Sequence, residues 1–137
     1  MKIDAHQHVW QVSRGDYGWL KPTSVDLYRD FSLDDLRPYL ALYGIEGTVL
    51  VQAAPTEAET RFMLDVARSS NGLVKAVVGW SDMMVPDAPA RIAALASDGL
   101  LRGLRPMLQD IADTDWILDR RIDPAWGSGH RGAGPPV

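Results

Sequence analysis

A chain of 137 residues, 46% hydrophobic and 23% charged, holds the material of one globular domain with a real core. Its net charge of -4, with no basic stripe, argues against a nucleic-acid or anionic-membrane partner, and the lack of cysteine excludes disulfides, zinc ribbons and thiol catalysis, leaving His and carboxylate to hold any metal. No leader pattern opens the chain and no stretch reaches membrane-spanning length, so a cytoplasmic protein is expected.

The first predicted strand covers 2–8, runs on into Val9 and Trp10, and carries Ile3-Asp4-Ala5-His6-Gln7-His8. Strand side chains alternate faces, which puts Asp4, His6 and His8 on one face and Ile3, Ala5 and Gln7 on the other. Two imidazoles at i and i+2 near a strand's C-terminal end can converge on one divalent cation, with Asp4 below them as an orienting carboxylate. The plainer alternative is two unrelated histidines on a half-exposed strand. The following stretch, 11–29, is irregular, with Tyr17, Trp19, Pro22 and Tyr28 in no period. A loop this long and this aromatic reads as a cover packed over something.

Ser32 is a good N-cap for a helix over 33–43, with Asp34 and Asp35 in its first turn, a stripe of Leu33, Leu36, Leu40 and Tyr43, and Gly44 at its close. The strand over 45–53 has the near-continuous apolar centre Thr48-Val49-Leu50-Val51 of a parallel strand buried on both faces. Thr56 and Glu59 make a capping box for a helix whose buried stripe is Ala58, Phe62, Val66 and Ala67, ending at Asn71-Gly72. The third strand is 73–80. Asp87 caps a helix to about Ala96 with Pro89 in its first turn, Asp98-Gly99 ends it, 100–105 is the fourth strand, and a last helical start lies near 113–118.

This β-α-β-α-β-α-β order predicts an α/β protein with a parallel sheet. Two architectures compete. An open doubly wound sheet is complete near this length, whereas a (β/α)8 barrel typically needs ~250 residues, so this chain supplies roughly half of one. In both, chemistry lies beyond the C-terminal strand ends. Those ends carry His6 and His8, then Gln52, then Trp80 with Ser81 and Asp82, then Arg105 followed by Gln109 and Asp110. Such a set suits a small oxygen-rich substrate: Arg105 for a carboxylate or developing oxyanion, Gln52 and Gln109 for hydroxyls, Trp80 for a sugar face. The plainer roles are Gln52 capping a loop, Trp80 in the core, and Arg105 in a rim salt bridge with Asp82 or Asp110. No Gly-rich phosphate loop follows a strand, and Ser32 and Ser81 lack both a nearby His and a Gly-x-Ser-x-Gly context.

Four segments in order, Ile3-Asp4-Ala5-His6-Gln7-His8-Val9-Trp10, Gly47-Thr48-Val49-Leu50-Val51-Gln52-Ala53, Val77-Val78-Gly79-Trp80-Ser81-Asp82 and Arg102-Gly103-Leu104-Arg105-Pro106-Met107-Leu108-Gln109-Asp110, closely resemble the amidohydrolase-related family 2 of predicted metal-dependent hydrolases. Within it the chain is most similar to sugar lactonases of the fuconolactonase and rhamnonolactonase kind. The resemblance covers about residues 2–119. It implies that 1–119 is the N-terminal half of a (β/α)8 TIM barrel and that the activity is hydrolysis of a sugar-acid lactone. It implies further that His6 and His8 form the metal or substrate-carbonyl site and hold a divalent metal such as zinc; together with the strand-end reading, His6, His8 and Arg105 are the expected catalytic residues and Gln52, Trp80 and Gln109 the expected substrate-binding ones. Some relatives are thought to work without a tightly bound metal. The family's later His ligands and the Asp ending its last strand, the proposed general base, find no counterpart in the sequence. The Gly/Pro/Arg-rich stretch 120–137 is expected to be a structureless tail, with His130 no ligand. The alternative expectation is therefore a catalytically inactive half-barrel, prone to self-association through its uncovered edges.

Overall fold

The computed structural model describes residues 1–129, the side chains of 128 and 129 excepted. Four parallel strands, β1 (Ile3–Gln7), β2 (Gly47–Val51), β3 (Val74–Gly79) and β4 (Leu101–Leu104), alternate with α1 (Leu33–Leu42), α2 (Glu57–Ser69) and α3 (Ala88–Ala96). The strands lie in the order β1-β2-β3-β4. A doubly wound sheet reverses its strand order at a switch point, whereas a barrel adds each strand beside the one before it. The sequential order therefore decides between the two architectures in favour of the barrel.

Local chemistry explains where the helices start. At α1, the Ser32 hydroxyl accepts from the Asp34 N–H at 3.2 Å, while Asp35 Oδ2 accepts from the Ser32 N–H at 2.8 Å and from its hydroxyl at 2.9 Å, closing a reciprocal capping box. The Ser32 backbone N–H, the Arg29 guanidinium and the Ser32 hydroxyl together hold the Asp35 carboxyl down at about 2, against an ordinary 3.8. A carboxylate with a depressed folded-state pKa contributes stability above its ordinary pKa and loses it as pH falls through the folded value. Melting temperature is thus expected to drop between pH about 4 and about 2 through this group, and Asp35→Asn to remove that part of the acid response. Ser32→Ala is expected to cost ~1 kcal/mol at neutral pH by denaturant titration.

The main core lies between the sheet and α2, where Leu50, Val74 and Val77 meet Met63, Leu64 and Ala67. The buried arc of α2 is Glu59, Thr60, Met63, Leu64 and Ala67, displaced from the stripe expected from apolar spacing. Of that stripe only Ala67 is buried; Ala58 is exposed, and Phe62 and Val66 are half-buried. The displacement arises because two polar residues, Glu59 and Thr60, are buried with partners, which a count of apolar residues cannot anticipate. At α3, Asp87 stands at the N-cap, but its carboxylate accepts from Arg91 Nε at 2.9 Å and caps no backbone N–H.

The C-terminal expectations need correction. The helical start near 113–118 is a single 3-10 turn, Trp116–Leu118. Residues 120–129, expected to be structureless, form a 3-10 turn (Arg120–Ile122) and a short helix α4 (Asp123–Gly129). Ile122 is fully buried and Ala125 nearly so, packed with Met83, Ala88 and Ile92 of the α3 region. An apolar pair three residues apart is enough to dock one helical turn on a waiting surface, whatever the Gly/Pro content around it. The remainder of the expected tail, with His130, lies outside the described residues.

Candidate active site at the strand ends

Two residues of β1, Ala5 and His6, oppose one of β2, Val49, since Asp4 pairs with Thr48 and Gln7 with Leu50. This bulge turns Gln7 inward, where it is buried, and leaves His6 exposed and His8 half-buried. The two imidazoles nevertheless meet as expected. Their Nε2 atoms are 3.1 Å apart, and the rings stand edge to face with centroids 4.9 Å apart. His8 Nδ1 lies 2.8 Å from the Val51 carbonyl. A carbonyl only accepts, so Nδ1 carries the proton and Nε2 of neutral His8 presents a lone pair, to which His6 Nε2–H donates. The orienting group is therefore the Val51 carbonyl and not Asp4, whose Oδ1 accepts from the His6 backbone N–H at 3.1 Å. Burial lowers the His8 pKa; the Val51 carbonyl opposes this, and the charges of His6 and Arg105 add to the lowering. His8 is thus held in the neutral form that can ligate a cation or accept a proton.

His8 opens onto a cavity of about 470 Å³ whose wall also includes Gln52, Arg105 and Gln109. Gln52 is fully buried; its Nε2 donates to the Arg105 carbonyl at 2.9 Å, tying the end of β2 to the end of β4, while its Oε1 is buried with no partner among the described residues. The rim salt bridge weighed for Arg105 does not form. Asp82 Oδ1 accepts from the Met84 N–H at 2.9 Å, and Asp110 shares the cavity wall without pairing to the guanidinium. A half-buried guanidinium with no ion-pair partner among the described residues suits an anion or a carbonyl oxygen.

Trp80, by contrast, does not line this cavity. Its backbone is gripped from α2, where the Thr60 hydroxyl donates to the Trp80 carbonyl and accepts from the Trp80 N–H, both at 2.7 Å. Gly79 makes the grip feasible, because a Cβ there would stand 2.5 Å from Thr60 Cγ2. The aromatic wall of the cavity is Trp10 and Trp19 instead, two residues not among those expected at the site. The available signal for Trp19 was the cluster of aromatics in the over-long loop 11–29, and for Trp10 its place where the first strand runs on.

That loop is a cover, as expected. Trp10 and Phe31 exchange backbone hydrogen bonds at 3.0 Å to close it, and Tyr17 and Leu20 bury against Ala53 and Ala54. The predicted Thr56–Glu59 capping box is only half formed. The Thr56 hydroxyl accepts from the Glu59 N–H at 3.0 Å, but the Glu59 carboxylate turns away, accepting from Tyr17 Oη at 2.8 Å and from the Ala53 N–H at 3.2 Å. Burial pushes the Glu59 carboxyl up; the bonds from Tyr17 and Ala53 and the nearby Arg14 pull it back.

Two imidazole ligands at 2.0–2.1 Å from a tetrahedral zinc ion stand about 3.3 Å apart, so the 3.1 Å pair of Nε2 atoms fits two corners of such a shell. No group of three or more His, Cys, Asp or Glu comes together among the described residues.

A family model described as amidohydrolase matches residues 3–128. The chain belongs to the amidohydrolase family. The match passes residue 119, where the sequence resemblance stopped, and enters α4. This amidohydrolase chain is 53% identical over 124 residues to an L-fucono-1,5-lactonase from Burkholderia ambifaria, covering 90% of the chain and 42% of the relative. It is 35% identical over 119 residues to an L-fucono-1,5-lactonase from Burkholderia multivorans, covering 87% and 40%. A solved amidohydrolase from Burkholderia multivorans with bound zinc superposes with a TM-score of 0.81 at 33% identity, over 91% of this chain and 44% of its own. A probable 2-pyrone-4,6-dicarboxylic acid hydrolase from Acinetobacter baumannii, 16% identical, shares the fold with a TM-score of 0.60. The amidohydrolase chain therefore spans less than half the length of these relatives, and its parallel β/α repeats match the N-terminal part of their barrel.

Proposed function

We propose that this chain carries the carbonyl-binding rim of a sugar-acid lactone hydrolase, with L-fucono-1,5-lactone as the foremost substrate. The observation that carries this is the meeting in one cavity of neutral His8 and Arg105, which has no ion-pair partner among the described residues; the likeness to two L-fucono-1,5-lactonases supplies the substrate class. Hydrolysis adds water across the ring ester and releases the open hydroxy acid. His6 and His8 are the residues that would hold a divalent metal, which when bound supplies Lewis-acid polarisation of the carbonyl. Arg105 stabilises negative charge developing on the carbonyl oxygen. Gln52, through its orphaned Oε1, and Gln109 hydrogen-bond ring hydroxyls, and Trp80 supports the end of β3 behind them.

A second reading has its own support: an inactive half-barrel. Among the described residues no group of three or more His, Cys, Asp or Glu is placed to hold a metal, and the chain spans 42% of its 53%-identical relative. The test follows L-fucono-1,5-lactone hydrolysis with a pH indicator. It compares the 137-residue chain, the chain joined to the remainder of that relative, and His8→Ala in each, all checked for folding by circular dichroism. The joined protein is expected to turn over, with kcat/KM at least ~100-fold lower in His8→Ala, and the chain alone to stay at background. A folded, joined protein indifferent to His8→Ala overturns the rim assignment. Turnover by the chain alone that His8→Ala abolishes overturns the inactive reading.

A further inference from the structure

Glu59 is fully buried and takes no part in the chemistry proposed for the cavity, yet it sits under the cavity's aromatic wall. We propose that Glu59 is a positioning residue: from α2 it sets the Trp10–Trp19 wall, acting through Tyr17 and the peptide groups of Ala53. Its Oε1 accepts from the Ala53 N–H at 3.2 Å. The Ala53 carbonyl in turn accepts from the Trp19 indole Nε1–H at 2.7 Å. Its Oε2 accepts from Tyr17 Oη at 2.8 Å and lies 3.5 Å from the Arg14 guanidinium. Tyr17 and Trp19 are two residues apart on the cover loop, with ring centroids 6.3 Å apart, and Trp19 stands edge to face with Trp10 at 5.4 Å. One carboxylate thus holds both the residue that anchors the Trp19 indole and the loop segment that carries it.

The chemistry of the position asks for glutamate. Two donors and a cation converge on two oxygens. A glutamine has a single carbonyl oxygen and would turn N–H groups toward one of the donors, leaving a buried donor unsatisfied. An aspartate is one methylene shorter and cannot keep both bonds from the same helix position. Arg14 is shared with Asp16 at 2.8 Å, and Asp16 Oδ2 also accepts from the Thr56 hydroxyl at 2.9 Å, so the tether is braced at the start of α2 as well.

The wall faces a polar side built from Arg105, Gln52 and Gln109. A six-membered sugar lactone has one face rich in C–H bonds, which packs on indole rings, and hydroxyls at its edge for the polar side. The wall then selects the ring orientation that brings the carbonyl to His8 and Arg105. This use of the wall rests on the lactone function proposed above, whereas the tether does not.

The test uses the 137-residue chain with Glu59→Gln and Tyr17→Phe, the second removing only the hydroxyl. Hydrogen exchange of the Trp19 indole N–H is followed by NMR with the Trp116 indole as internal reference, and L-fucose, a stable pyranose ring, is titrated against the indole signals. In both variants Trp19 exchange is expected to accelerate at least ~10-fold relative to Trp116, since a bond to a fixed carbonyl is replaced by local opening. The L-fucose dissociation constant is expected to rise at least ~5-fold, in line with the loss of one oriented aromatic contact. If Glu59→Gln fails to fold, Tyr17→Phe decides. Exchange at Trp19 that tracks Trp116 in the folded variants overturns the tether. L-fucose that leaves the wild-type Trp19 signal unmoved overturns the sugar-binding use of the wall, while accelerated exchange still supports the tether and the lactone reading stands or falls on the joined protein's turnover.

Discussion

Zinc titrated into the chain is expected to bind at one site with a dissociation constant between about 1 μM and about 0.2 mM, and binding is expected to vanish in His6→Ala/His8→Ala. A four-ligand structural zinc site is worth about 10–16 kcal/mol at pH 7, so two of the four ligands supply roughly half, ~5–8 kcal/mol, which corresponds to that range. The pair is pre-oriented. The Val51 carbonyl fixes the His8 ring and its tautomer at 2.8 Å, and the two Nε2 atoms already stand 3.1 Å apart. His8 is also kept neutral, chiefly by burial, so its Nε2 keeps a lone pair for the metal, and His6 ligates through Nε2 once its proton moves to Nδ1. His8→Ala alone is expected to weaken binding at least ~10-fold, the lower end of what loss of a ligand's support costs. Isothermal titration calorimetry measures both. Stoichiometric zinc that survives chelation and dialysis would show a fuller ligand set than this pair, and unchanged binding in the double mutant would place the metal elsewhere.

Gly79→Ala is expected to destabilise the fold by ~2–3 kcal/mol, the upper range for overpacking a tight contact, lowering the melting temperature by about 10 °C. The added methyl would stand 2.5 Å from Thr60 Cγ2, 2.8 Å from Thr60 Oγ1 and 3.1 Å from Leu101 Cδ1. Thr60 cannot rotate away without breaking its two 2.7 Å bonds to the Trp80 backbone, and it is itself fully buried. The strain therefore passes either to the packing of α2 on β3 or to the strand end at Trp80. Adding Thr60→Ser, which keeps the hydroxyl and removes the nearest methyl, is expected to restore at least about half of the loss, a coupling that a double-mutant cycle reads directly. A Gly79→Ala protein melting within two degrees or so of the wild type would show that α2 yields more easily than its hydrogen bonds imply.

Much of the architecture is legible in the sequence because its signals are local. A parallel strand covered on both faces must be apolar along its length, and Thr48-Val49-Leu50-Val51 says so. Ser32 announces the start of α1 because its hydroxyl bonds backbone two residues away. His6 and His8 converge because a period of two survives at the end of β1 even beside a bulge. Arg105, Gln52 and Gln109 follow strand ends, and strand ends of one polarity meet on one rim.

What the sequence does not carry are partnerships across long stretches of chain. The sequential order of the strands, which separates barrel from open sheet, is a statement of pairing and leaves no periodicity. Glu59 obeys a local rule, three residues after Thr56, but its carboxylate finds Tyr17 on the cover loop, and the stronger set of donors wins. Trp80 stands at a strand end yet does not line the cavity, whereas Trp19, far from any strand end, does, held by the bond from its indole to the Ala53 carbonyl. Ile122 and Ala125 sit in a composition that argues against structure, and they fold because Met83 and Ile92 offer them a surface. In each case local propensity is worth a few tenths to about one kcal/mol per residue, while burial with satisfied partners is worth several times more, so the tertiary contact overrides the local signal.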